Sequence, residues 1–481
     1  MHDADKKIDA LRDRLLTAQS QLTRDKAFAL AIVVTGVPTA GRSEVVNKLL
    51  EWLDPKHVTV HALDKLPKAG GGKPVMQRYW LTLPARGEIA IYFNGWYDDY
   101  LSPALHSPKK AQRTQARAIE RIAQLETMLV RDRIRIVKLD MRVDRRIQKE
   151  RIAALRANKN TRWRVTREDR WLAKHYDRVR KVSEQAITAT DGPGARWHVV
   201  NGKDPVARVY RAGSLVLAEL TAGFKAAKSK TTATSWRAAS QASRKSVPIP
   251  ATQISDDDYD KQLEALQGRL ALLSRKDSFA KRSVVLAFEG MDAAGKGGAI
   301  RRVTAALDAR QYTVVPVSAP TPEELAHPYL WRFWRRLPER GDFTIFDRSW
   351  YGRVLVERVR DLTPDPDWQR AYAEINEFEL QLAEAKAIVH KFWLAIGKDE
   401  QLRRFKEREE DALKRYKVDR EDWANRRFYD DYQSAAREMI ERTSTHYAPW
   451  TVVAADDKKV ARLTILTALC ETLERALKKS S

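Results

Sequence analysis

The segment Gly290-Met291-Asp292-Ala293-Ala294-Gly295-Lys296-Gly297-Gly298 follows a short apolar run and precedes a helix-like one. This is the G-x4-G-K spacing of a P-loop in the setting it requires, between a strand and a helix. Gly290, Gly295, Gly297 and Gly298 let successive backbone N–H groups turn inward as an anion nest. The helix start adds a positive dipole end, and Lys296 reaches the transferring phosphates. Gly297 stands where a Ser or Thr normally ligates magnesium, so Mg2+ needs another first ligand; Asp292, inside the loop, is the candidate. Phe346-Asp347-Arg348-Ser349 closes a second apolar run. Asp347 sits where P-loop enzymes hold a second magnesium-side carboxylate, and Arg348 can face a phosphate as a charge-assisted donor. Further on, Leu402-Arg403-Arg404-Phe405-Lys406-Glu407-Arg408 and Lys414-Arg415-Tyr416-Lys417 are strongly basic. Phosphotransferases need such cations to close over the donor and exclude water. Each motif has a plainer reading: a glycine-rich turn, a strand-end Asp capping a helix, a solvated helix face with an Arg403–Glu407 pair. Their order along one chain favours phosphate chemistry.

The elements that must position these residues are legible as alternating strands and helices. An amphipathic helix carries Tyr259, Leu263, Leu266, Leu270 and Leu273 on one face. Strands are expected at Ser283–Phe288, Thr313–Val317, Phe343–Phe346, Ala387–Leu394 and Trp450–Val453. Helices are expected at Ala299–Leu307 and around 370–386 and 399–410. Apolar strands alternating with helices imply an α/β fold, a parallel sheet covered on both faces.

The chain repeats itself. A shift of 254 lays Gly36–Tyr97 on Gly290–Tyr351 without a gap, and a shift of 253 later lays Lys138 on Lys391 and Trp197 on Trp450. Tandem duplication of one domain follows, with copies at 1–225 and 255–481 and a linker at 226–254. From Phe224 to Ser255 there are six Lys or Arg and no acid, ending in Val247-Pro248-Ile249-Pro250, a composition suited to an extended connection. The first copy has lost the chemistry. Arg42 replaces Lys296, Pro38 replaces Asp292, and Phe93 and Asn94 replace Asp347 and Arg348. Ala153 and Leu155 stand for Lys406 and Arg408.

The 481 residues carry a net charge of +24, which points to a polyanionic partner without choosing among nucleic acid, an acidic membrane surface and a phosphate chain. No run of about 18 apolar residues appears, so no membrane partner is expected. The polar start Met1-His2-Asp3-Ala4-Asp5 lacks a signal-peptide core, and the single Cys470 excludes an intramolecular disulfide. A cytoplasmic protein is expected, with Cys470 on the core face of the last helix.

Longer strings carry a resemblance. Phe288–Gly298, Trp331-Arg332-Phe333-Trp334 with Leu337-Pro338, and Phe346–Val359 resemble the polyphosphate kinase 2 family. So do Arg404–Arg408, Leu413–Lys417 and Ala448-Pro449-Trp450. The resemblance covers nearly all of the second copy. It implies two tandem P-loop kinase-like domains, similar to thymidylate kinase, each with a helical lid. It also implies inorganic polyphosphate as donor and Mg2+ as cofactor. Tandem members with one degenerate copy look like the class that converts AMP to ADP, in principle reversibly. Carried over by position, Lys296, Asp292, Asp347, Arg348 and Arg408 would be catalytic, with Asp292 and Asp347 on the metal. Arg353, Glu357, Lys391, Arg404 and Lys406 would bind substrate or phosphate, Glu357 orienting the acceptor. Two rival functions stay open: an ATP-dependent nucleoside monophosphate kinase, and a basic nucleic-acid-binding module without turnover. No recognition motif beyond charge favours nucleic acid. A homo-oligomer stays open.

Overall fold

The computed structural model describes residues 2–62, 72–106, 108–228, 254–411 and 420–478. Most of the expected linker and the string Leu413–Lys417 lie outside these residues. The chain divides into two compact units. One comprises Met1–Lys68, Met76–Thr231 and Pro320–Trp331, the other Ala69–Val75, Thr232–Ala319 and Arg332–Ser481. The division is thus not a single cut between copies: two short segments count with the other unit.

Each unit holds one five-stranded sheet. In the first, β1 (Ala29–Gly36), β2 (Val58–His61), β3 (Ile89–Phe93), β4 (Ile134–Arg142) and β5 (Ala195–Asn201) are ordered β2-β3-β1-β4-β5. The second sheet repeats this. It contains β6 (Ser283–Gly290), β7 (Tyr312–Pro316), β8 (Phe343–Asp347), β9 (Ala387–Ala395) and β10 (Trp450–Ala454). Their order is β7-β8-β6-β9-β10, and every pairing is parallel. A central parallel strand is covered on both faces and reads as a continuous apolar run. All nine residues of β9 are buried accordingly. The outermost β7 is largely exposed and ends in Pro316, which an edge strand tolerates.

The expected strands appear with shifts of a residue or so. The helix expected at Ala299–Leu307 runs instead over Lys296–Thr304. Gly295, at φ +104°, turns the chain straight from the loop into the helix, so helical hydrogen bonding starts at Lys296 itself. Cys470 is fully buried on the final helix (Lys458–Lys478), where burial pushes its thiol up to about 11. No helix among the described residues is long and apolar enough to cross a membrane.

Both units are built around the same buried charge network. Lys391, in mid-β9, donates to Glu379 at 2.7 Å, to the Tyr351 hydroxyl at 2.8 Å and to the Thr443 carbonyl at 2.8 Å. Trp350 also donates to Glu379, at 3.0 Å. In the first unit Lys138 bonds Glu126, Tyr97 and the Thr190 carbonyl, with Trp96 on Glu126. Lys391 therefore lies in the core and not among the groups facing the loop. Its counterpart persists in the copy that has lost the site residues, which marks the pair as part of the fold.

Candidate active site

Strand pairing brings the two chemical motifs side by side. Phe288 of β6 pairs with Asp347 of β8, so the strand ends carrying the glycine loop and the Asp347-Arg348 step are neighbours. In open α/β sheets ligands bind at such carboxyl ends. Gly290 has φ +150°, and a Cβ there would stand 2.6 Å from the Leu394 carbonyl oxygen, so the close approach of β6 and β9 under the loop requires glycine. At Gly297 a Cβ would meet nothing within 4 Å.

Lys296 folds back on its own loop, donating to the carbonyls of Gly290 at 2.7 Å and Met291 at 3.3 Å. Burial and the facing Arg348 push its ammonium down, against the carboxylates of Asp292, Asp347 and Glu289. Arg348 donates to Asp292 Oδ1 at 2.7 Å. Burial opposes its charge, but Asp292, Glu289 and Asp347 outweigh that and hold the guanidinium above its ordinary value. Its backbone sits at φ +64°, in the left-handed region that a long side chain seldom adopts. Outliers of this kind gather at functional sites.

Two helices of the second unit brace the loop. From Lys398–Glu410, Gln401 donates to the Asp292 carbonyl at 3.0 Å, and Arg404 to the carbonyls of Ala293 at 3.0 Å and Ala455 at 2.7 Å. From Arg420–Arg426, Asn425 donates to Asp292 Oδ2 at 3.0 Å. Arg404 is only 1% exposed, so it shapes the loop from behind and presents little to a ligand. Arg408, one turn further, lines a cavity against Gly295 and Gly298. Lys406 is exposed on the same helix and does not line that cavity. Arg353 and Glu357 form a 2.9 Å ion pair beyond β8, and Arg353 also bonds Thr363. Burial raises the Glu357 carboxyl, against Arg353 and Arg332.

Three participants went unassigned in the sequence reading. Glu289, 4% exposed, accepts from Ser349 at 2.8 Å; burial raises its carboxyl. It stands immediately before Gly290, and its place between an apolar strand and the loop was the available signal. Asn425 and Tyr432, the latter with its hydroxyl pushed up by burial and Asp292 against Arg348, lie far along the chain and gave none.

A parallel sheet with a glycine loop after its central strand, a lysine opening the next helix and carboxylates around that lysine define an α/β phosphotransferase of the P-loop type. The family description Polyphosphate kinase 2 matches residues 1–226 and 253–481, and the chain belongs to that family. A relative from Pseudomonas syringae pv. tomato, named polyphosphate:AMP phosphotransferase, is 40% identical over 473 residues, covering 98% of this chain and 95% of its own. Another of that name, from Pseudomonas aeruginosa, is 41% identical over 489 residues, covering 99% and 96%. A crystal structure described as a polyphosphate kinase 2 from Pseudomonas aeruginosa PA01 superposes with a TM-score of 0.88 at 39% identity, over 100% of this chain and 97% of that one.

Proposed function

We propose that the second copy moves the terminal phosphoryl group of inorganic polyphosphate to AMP, giving ADP, and runs in either direction. The observation that carries this reading is the gathering of Lys296, Arg348, Asp292 and Asp347 at one loop, in a chain nearly coextensive with the relatives named for that reaction. Phosphoryl transfer asks a protein for positioning and charge neutralisation more than covalent chemistry. Both cations rest here on protein oxygens: Lys296 on loop carbonyls, Arg348 on Asp292. A bound phosphate offers stronger acceptors, so both can transfer to it without long travel. Arg408 closes on the loop from the other side, and Glu357 with Arg353 orients the acceptor.

The residues fit magnesium. Mg2+ takes one or two carboxylates and completes its shell with substrate phosphates and water. Asp292 and Asp347 would supply those carboxylates. Among the described residues no group of three or more His, Cys, Asp or Glu could hold a metal ion. When bound, magnesium neutralises charge on the phosphate oxygens.

Incubation of the purified protein with AMP, polyphosphate and Mg2+, without ATP, should form ADP. Turnover only with ATP would favour the nucleoside monophosphate kinase reading. Absence of turnover with either donor would overturn both.

A further inference from the structure

The positive charge of the chain does not lie where the site residues lie. Residues 1–225 hold 43 Lys or Arg against 25 Asp or Glu, a net +18. The linker at 226–254 adds five cations and no acid, while residues 255–481 hold 40 cations against 39 acids, a net +1. A polyanion is held by the surface that presents cations to it. The copy that keeps Lys296, Arg348 and Arg408 has almost no excess to offer, and the copy that lacks them carries most of it.

Within the first copy the excess gathers in one helical hairpin. Arg151–Arg167 contains six cations and no carboxylate, whereas the aligned Arg404–Arg420 contains seven cations and five carboxylates. Ala153 and Leu155 stand for Lys406 and Arg408, but Arg156 and Asn158 stand for Glu409 and Asp411. The helix Arg145–Ala157 ends at Asn158, and a helical turn at Arg162–Arg164 leads into the helix Arg167–Lys174. The Asn158 carbonyl accepts from the backbone of Thr161 at 3.1 Å and of Arg162 at 2.9 Å, and Thr166 with Asp169 forms a capping box at the second helix. The hairpin thus has a defined shape. Arg151 turns inward onto the carbonyls of Thr39, Gly202 and Lys203. Arg156, Lys159, Arg162, Arg164 and Arg167 are exposed. The neighbouring acids are engaged elsewhere: Asp169 in the cap, Glu168 on His106 at 3.0 Å and Glu150 on Arg146 at 2.7 Å. Among the described residues none of the five exposed cations has a carboxylate partner.

We propose that the first copy is a docking surface for long polyphosphate, its exposed hairpin cations holding phosphates distant from the end that the second copy consumes. This rests on the reading of polyphosphate as donor. A phosphate chain asks a protein for charge alone, whereas a single-stranded nucleic acid also presents bases, which stack on aromatic rings. The hairpin has one strongly exposed ring, Trp163, at 73%. Its indole N–H is already given to the Asn160 carbonyl, and the Arg164 guanidinium lies 5.4 Å from its centre. One ring that already carries a guanidinium, among five cations without carboxylates, suits phosphates better than bases. A ligand that engages one protein at two places makes its second contact at a raised effective concentration. Long chains do this and short ones do not, so docking makes affinity grow with chain length and keeps the shortened chain on the protein between transfers.

The test compares the full-length wild-type with a full-length variant carrying Arg156→Gln, Lys159→Gln, Arg162→Gln and Arg164→Gln. All four side chains are exposed, so the substitutions leave the fold intact, which circular dichroism checks. KM is measured for polyphosphate of several hundred units, for a short oligophosphate and for AMP. The variant should raise the long-chain KM by about tenfold or more and flatten its dependence on salt, because each lost phosphate contact removes a share of counterion release. The KM for oligophosphate, the KM for AMP and kcat should be unchanged. Arg156→Lys, Arg162→Lys and Arg164→Lys together should retain the long-chain affinity. An unchanged long-chain KM in the folded variant, or an equal rise for the oligophosphate, overturns the docking surface. Tighter binding of a single-stranded DNA of equal charge, weakened by Trp163→Ala, overturns it in favour of nucleic acid. Should wild-type form no ADP from AMP and polyphosphate, the functional reading fails, and direct titration with long polyphosphate decides the docking surface: equal affinity in wild-type and the quadruple variant overturns it.

Discussion

In the proposed reaction the chemistry turns on Lys296 and Arg348, which here donate to loop carbonyls and to Asp292, oxygens that a phosphate can replace. Removing one preorganised charge contact typically costs about 3 kcal/mol in a transition state. Lys296→Ala should therefore lower kcat/KM by about a hundredfold or more, and Asp347→Asn should raise the magnesium requirement sharply. Near-wild-type kinetics in both, with circular dichroism showing native folding, would contradict the assigned roles. At this scale the sequence was informative where the chemistry is local. The loop glycines, Lys296 and Asp292 share one nonapeptide, and Asp347 ends an apolar run. Asn425 reaches Asp292 across 133 residues of chain, and no spacing rule anticipates such a contact. Lys391 illustrates the converse. A lysine within nine buried strand residues must be paired, since an unpaired buried charge is far too costly. Its recurrence as Lys138 in the copy without site residues was a signal of structure that the family resemblance obscured.

β9 ties the elements of the second unit together, and its His390 shows how. The imidazole bonds Thr451 of β10 at 2.8 Å through Nε2 and Thr472 of the final helix at 2.9 Å through Nδ1. Burial, with Arg475 and Lys391 nearby, lowers its pKa from 6.5 to about 4. As pH falls, the unfolded chain takes up this proton first, near 6.5, and the folded protein only near 4. Stability is therefore lost across that window and levels off below it. The gap corresponds to about 3 kcal/mol. Urea unfolding from pH 7 to 4.5 should show a steep decline that is shallower in His390→Gln; equal slopes would refute the assignment. The strands themselves were legible because parallel central strands are uninterrupted apolar runs. The start of the loop helix was misplaced because helical periodicity begins only at Ala299, whereas the turn at Gly295 sets the true beginning. The polar cross-links at His390 depend on which elements become neighbours, which periodicity does not encode.

At the scale of the whole chain, duplication was plain from the repeated spacing, and both sheets share one strand order. The segments Ala69–Val75 and Pro320–Trp331, each counted with the other unit, are not anticipated by the repeat spacing. The first copy has closed on itself: Arg42 donates to Asn94 and its guanidinium lies 5.0 Å from the centre of the Phe93 ring, at the places of Lys296, Arg348 and Asp347. Calorimetric titration with AMP should accordingly give one site per chain; two equivalent sites would show that the first copy still binds nucleotide. The backbone under this pair has a history to tell. Asn94 and Arg348 share the left-handed conformation, at φ +65° and +64°. Asparagine accepts it readily, while a long side chain held there costs of order 1 kcal/mol. In the first copy the position carries the residue its backbone prefers. In the second copy, which the proposed function makes the active one, the arginine carries the strain. On the proposed function, catalysis and stability thus pull this one position apart, and the two copies in one chain hold one outcome each.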